Sequence, residues 1–174
     1  LHRVRTPGGA RTQLTFFEEP IGGGTYEPKT GRYIVFGRDV GGNEFNQLYR
    51  YDVANGAVTL LTDGGRSQNG GTRWNNAGDR IAYGSTRRNG ADRDVWTMDP
   101  ANPGSNRLLV QVTGGGWGVQ DWSPDDKQLL LSEYVSVNQS HIWLVDAATG
   151  AKTRLTPEGR DSVAWGGPEF AADG

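Results

Sequence analysis

The sequence predicts an all-β chain: a β-propeller segment of three complete four-stranded blades with partial blades at both ends. Three observations carry this. A turn motif led by an aromatic residue recurs, as Tyr26-Glu27-Pro28-Lys29-Thr30-Gly31, Trp74-Asn75-Asn76-Ala77-Gly78 and Trp122-Ser123-Pro124-Asp125-Asp126, each time followed by an apolar run. An aspartate closes a later apolar run at 52, 99 and 146, an interval of 47 residues both times. A Leu/Val–Thr pair then ends at 15, 62, 113 and 156. A fixed period in this range, with a strand pattern inside each copy, is the signature of propeller blades.

Residues 1–10 are polar and glycine-bearing, which predicts a flexible, frayed lead-in. Residues 11–15 match the strand that closes each later blade, so an outer strand is expected there without its inner partners. Blade one spans 22–62, with strands near 25–27, 33–38, 47–52 and 57–61, and Asn55-Gly56 predicts a type I′ turn between the last two. Blade two spans 70–113, with strands near 72–74, 80–85, 94–99 and 107–112. Blade three spans 117–156, with strands near 119–122, 128–134, 141–146 and 152–155. Leu129-Leu130-Leu131 has no polar alternation, as expected of a strand covered on both faces. Residues 163–174 start a further blade, Phe170-Ala171-Ala172-Asp173-Gly174 aligning with Trp122–Asp126. Residue 1 is leucine, so a trimmed or processed front is expected. The half-repeats suggest a piece of a larger propeller, or a ring that several copies complete through open blade edges.

Composition narrows the function classes. The chain has 174 residues, 27 glycines scattered through turns, no cysteine and a formal charge of −2. Disulfide staples and thiolate metal sites are excluded. No basic stripe suggests nucleic acid, and no long apolar run or polybasic patch suggests a membrane, so neither is an expected partner. The compartment is left open between cytoplasm and periplasm.

The repeat, an aromatic residue with Ser123-Pro124-Asp125 followed by an apolar strand and Ile142-Trp143-Leu144-Val145-Asp146, resembles two groups of propellers. One is the TolB-like periplasmic propellers. The other is the amino-terminal propeller of the prolyl oligopeptidase family of serine peptidases, of the dipeptidyl and acylaminoacyl peptidase type. Four longer stretches, 14–20, 41–52, 85–90 and 114–124, are similar to bacterial members of the second group. The resemblance implies a non-catalytic propeller that gates or filters peptide substrates for an α/β-hydrolase domain outside this chain. It also implies that hydrolase domain as a partner, with a peptide substrate a further one. The alternative is a TolB-like interaction scaffold, or a self-assembling array of blades.

No Gly-x-Ser-x-Gly nucleophile elbow occurs, and His2 and His141 are the only histidines, so no catalytic residue is assigned and the chain alone is expected to be inactive. Two distant histidines without cysteine cannot assemble a zinc site, and no metal or cofactor is expected. His141 reads as structural. Asp52, Asp99 and Asp146 read as strand-ending turn residues, and Asp125 and Asp126 as organisers of one turn. The glycine pair Gly70-Gly71 reads as part of a blade crossing. Substrate-contact candidates are the loop charges Glu18 and Glu19, which suit a free amino group, and Arg87 and Arg88, which suit a carboxylate. Asn138-Gln139-Ser140 matches a glycosylation sequon.

Overall fold

The computed structural model describes residues 1–159 and 162–172. Every described regular element is a strand. Strands β1 (His2–Val4) and β2 (Arg11–Gln13) form a two-stranded hairpin. Blade one is β3 (Gly24–Tyr26), β4 (Tyr33–Arg38), β5 (Gln47–Asp52) and β6 (Val58–Leu60). Blade two is β7 (Asn69–Trp74), β8 (Ile81–Ser85), β9 (Asp94–Asp99) and β10 (Asn102–Val110). Blade three is β11 (Trp117–Trp122), β12 (Gln128–Ser136), β13 (Gln139–Asp146) and β14 (Lys152–Arg154). Each blade is an antiparallel meander in chain order.

Flanks of neighbouring blades make the core. In β4, Ile34 and Phe36 pack toward Leu14, Phe17 and Ile21 of the entering chain, while Val35 packs with Ile81, Tyr83 and Met98 of blade two. In β12, Leu129 and Leu131 join Ala82, Val95 and Val110 of blade two. Leu130 is also buried, which is why this run shows no polar alternation. At these positions the middle strands have no solvent face.

The recurring Leu–Thr pair has a physical cause. Leu61 N donates to Leu48 O at 2.9 Å, and Leu48 N donates to Thr62 Oγ1 at 3.0 Å. The same pair of bonds joins Leu155 N to Ile142 O at 2.8 Å and Ile142 N to Thr156 Oγ1 at 3.4 Å. It occurs again between Leu14 N and Leu1 O and between Leu1 N and Thr15 Oγ1. The threonine hydroxyl takes over the outer-strand ladder where the backbone turns away, satisfying an otherwise orphaned N–H.

Several expectations need correction. His2–Val4, expected as frayed lead-in, is strand β1, in register with Arg11–Gln13. The first hairpin is therefore the outer half of a blade, the equivalent of β5 and β6. The Asn55-Gly56 turn is not type I′. Only Gly56 has positive φ (75°), and the loop closes by Gly56 N→Asp52 O at 2.8 Å and Asp52 N→Ala57 O at 2.9 Å, a longer turn that needs one left-handed residue. Gly70 and Gly71 lie inside the inner strand β7 and not in a crossing, because β7 begins at Asn69. Residues 163–172 form no strand. They run beside blade three, with Ser140 N donating to Val163 O at 3.3 Å, Trp165 N to Ser140 Oγ at 2.6 Å and Phe170 N to Asp121 Oδ2 at 2.9 Å. No described strand supplies them with a ladder. Asp173 and Gly174 lie outside the described residues.

Candidate functional site

A four-stranded meander sends its first-to-second and third-to-fourth turns to one side. Its second-to-third turns and the inter-blade connections go to the other. The first side is structural. Asp52 Oδ1 accepts from Ala54 N at 3.0 Å, Asp99 Oδ1 from Ala101 N at 2.8 Å, and Asp146 Oδ1 from Ala148 N at 3.1 Å and Thr149 N at 2.7 Å. These are the expected Asx turns. The Thr149 backbone and hydroxyl bonds hold the Asp146 carboxyl below its ordinary value. Asp125 likewise organises its own turn, accepting from Ser123 Oγ at 2.7 Å and Lys127 N at 3.1 Å.

Asp126 reaches further. At φ 59° its carboxylate crosses to blade two, where Oδ1 accepts from Asn76 N at 2.7 Å and Asn76 Nδ2 at 2.8 Å. Its Oδ2 accepts from Ala77 N at 2.8 Å and Asn75 Nδ2 at 3.2 Å. One carboxylate thus clamps two blades. In blade one the buried Glu27 caps its own turn. Burial pushes its carboxyl up, but bonds from the Thr30 hydroxyl and the Lys29, Thr30 and Arg32 backbones outweigh this and hold it at about 2.

The opposite side carries the loops expected to bind. Loop 39–46 is fixed by Glu44 N→Asp39 Oδ2 at 3.0 Å, Phe45 N→Asn43 Oδ1 at 3.0 Å and Gly41 N→Glu19 Oε1 at 3.2 Å. Beneath it the buried Gln47 ties β5 to the connection 62–67. Its Nε2 donates to Gly65 O at 3.1 Å and Ser67 O at 3.0 Å, and its Oε1 accepts from Thr62 Oγ1 at 2.6 Å and Gly64 N at 3.0 Å. Loop 86–93 is held by Arg88. Its Nε donates to Asp94 Oδ2 at 2.6 Å, and its Nη2 donates to Asp92 Oδ2 at 2.8 Å and Val112 O at 2.9 Å. The Asp94 side chain is 0% exposed and also accepts from Val112 N at 2.9 Å.

The four contact candidates therefore sit in different settings. Glu18 is exposed, while Glu19 is half-buried and holds the neighbouring loop. Arg87 stacks 3.4 Å from the centroid of the Trp96 ring, which places its charge against an aromatic face. Arg88 is consumed in pinning its own loop. Among the described residues no ion pair joins the glutamates to the arginines. His141 is buried within β13, the structural setting the sequence suggested.

One hollow opens between blades one and two, and another beside blade three. The first, of about 290 Å³, lies between β3 and β7, lined by Gly22, Gly37, Asn46 and Asn69–Thr72. The second, of about 220 Å³, lies between blade three and the segment 163–172, lined by Gln120, Tyr134, Ser140 and Trp165. Sequence reasoning named Arg93 among the loop-face charges but passed over Asn69. Asn69 is buried and bonds Asn46 O at 2.9 Å, and only three-dimensional proximity reveals that role.

No family model matches the sequence, and no curated protein matches it. Solved structures do. TolB from Acinetobacter baumannii superposes with TM-score 0.70 at 17% identity, over 99% of this chain and 40% of that one. The fold is that of a TolB-like β-propeller. An oligogalacturonate lyase from Vibrio parahaemolyticus matches with TM-score 0.71 at 13% identity, over 99% of this chain and 48% of that one. A prolyl endopeptidase matches with TM-score 0.61 at 15% identity, over 88% of this chain and 25% of that one. The chain thus spans about half or less of the proteins whose fold it shares.

Proposed function

We propose that this chain is the non-catalytic propeller portion of a prolyl oligopeptidase-like serine peptidase, and that it gates or filters peptides for a hydrolase domain. The observation that carries the reading is the rigidity of the loop face. Arg88, Asp92 and Asp94 lock loop 86–93, and Glu19, Asp39 and Gln47 lock loop 39–46 and its neighbours. A filter works by excluding what does not fit, which requires loops that hold their shape at no entropic cost during binding. The similarity of residues 14–20, 41–52, 85–90 and 114–124 to bacterial members of that family supports the same reading, as does the shared fold of a prolyl endopeptidase.

The test uses the protein that carries this chain. It should hydrolyse N-blocked short peptides faster than long ones, and Arg88→Ala, which releases loop 86–93, should raise the relative kcat/KM of the long substrates. The isolated chain should hydrolyse none of them. Absence of peptide turnover by the parent protein would overturn the proposal. A second reading, a TolB-like interaction scaffold, draws on the fuller overlap with TolB, 99% of this chain against 88% for the prolyl endopeptidase. It requires a parent protein that binds a partner protein and cleaves nothing.

A further inference from the structure

Arg93 is unlike its neighbour Arg88. Its stem and guanidinium lie across Gly84, where a Cβ would stand 2.5 Å from Nε and 3.0 Å from Cγ. Its Nη2 lies 3.3 Å from the position a Cβ would occupy on Gly70, and 3.9 Å from that on Gly71. Gly70 and Gly84 are a cross-strand pair of β7 and β8, so the arginine rests on a bare backbone surface that only glycines provide. Its own backbone N–H is used, donating to Gly114 O at 3.0 Å in the connection to blade three. The guanidinium is half-buried, and among the described residues it has neither a hydrogen bond nor an ion pair. Burial lowers its pKa.

A half-desolvated guanidinium with no protein acceptor has water as its sole partner in the free protein, and it gains free energy when an anion docks. Three other arginines of these blades have hydrogen-bond acceptors: Arg50 donates to Pro100 O at 2.6 Å, Arg73 to Gln120 O at 2.9 Å and Arg107 to Ala147 O at 2.7 Å. Arg93 directly precedes β9 at the loop-face end of blade two, beside inner strand β7. A single planar fork on a flat wall suits a planar monoanion, because a carboxylate takes two parallel N–H···O bonds from it.

We propose that Arg93, cradled by Gly70, Gly71 and Gly84, is a carboxylate-binding site on the loop face of this propeller. The site stands independently of whether a peptidase domain is attached. Titration followed at the Arg93 Nε–H resonance tests it, using N-acetyl-dialanine, its C-terminal amide, an N-acetylated and amidated glutamyl peptide, and inorganic phosphate. N-acetyl-dialanine should produce a saturable shift and its amide none. The glutamyl peptide then separates the two carboxylate sources: a shift equal to that of N-acetyl-dialanine means that any carboxylate is taken, and no shift means that the chain terminus is required. Arg93→Gln should weaken binding about tenfold or more, and Arg93→Lys should restore part of it. Gly84→Ala, whose Cβ displaces the guanidinium, should weaken binding while leaving Arg93 present. Equal shifts from the acid and its amide, undiminished binding by a folded Arg93→Gln protein, or tighter binding of phosphate than of N-acetyl-dialanine would each overturn the assignment.

Discussion

Removing the carboxylate of Asp126 should uncouple blade two from blade three. Four donors of blade two converge on it, two of them backbone N–H groups, at 2.7–3.2 Å. Asp126 is half-exposed, so water replaces part of what is lost, and each bond counts near the low end of its usual range. At ~0.5–0.75 kcal/mol per bond, Asp126→Ala should destabilise the protein by about 2–3 kcal/mol. For a domain of this size that is a fall in Tm of roughly 4–12 °C. Asp126→Asn is the sharper variant. It is nearly isosteric and tolerates φ 59°, but one oxygen becomes an NH2 group facing N–H donors. It should therefore lose about as much as alanine. Thermal unfolding gives the magnitude, and amide hydrogen exchange at Asn76 and Ala77 gives the location. An Asp126→Asn protein with wild-type Tm and unchanged exchange at those two amides would refute the clamp.

Glu27 predicts an acid dependence. Its folded pKa of about 2 lies below the ordinary 4.5, so its contribution is complete above about 4.5 and is lost as pH falls toward 2. The stability difference between wild type and Glu27→Gln should shrink across that window in denaturant titrations; a constant difference refutes the assignment. Asp92, Asp125 and Asp146 are lowered too, so the Glu27→Gln protein should keep some acid sensitivity. Gly150→Ala should cost about 3 kcal/mol, because its φ is 77° and the new Cβ would stand 2.0 Å from Leu109 O of blade two. Wild-type unfolding behaviour would contradict that close approach. Arg88→Ala strands the buried Asp94, so Tm should fall and the Val112 and Gly114 amides should exchange faster, by NMR.

Repeating local chemistry made much of the fold readable. The middle strands match expectation to the residue at 33–38, 47–52 and 94–99, because an apolar run ended by an Asx turn is written in adjacent residues. The hairpin β1–β2 was also legible in principle. Gly8-Gly9-Ala10 before Arg11 aligns with Asn55-Gly56-Ala57 before Val58, but Arg5 replaces the aspartate that marks the other copies. Blade two escaped the spacing of its neighbours because its last hairpin carries extra residues, with the register jumping between Asn102 and Arg107. There Ser105 Oγ, donating to Asn102 O at 2.7 Å, closes the loop.

The sequence alone determined the number of blades, their order and the turn aspartates, since each depends on contacts within one hairpin. Tertiary structure alone decided the partners of the charged side chains. Asp125 and Asp126 are adjacent and alike on paper, yet one closes its own turn and the other grips a blade about 50 positions away. Arg88 and Arg93 flank the same loop, yet one is paired with aspartates and the other lies unpaired over glycines. Hydrogen bonding and desolvation depend on distances between separate sheets, and those distances exist only once the blades have packed.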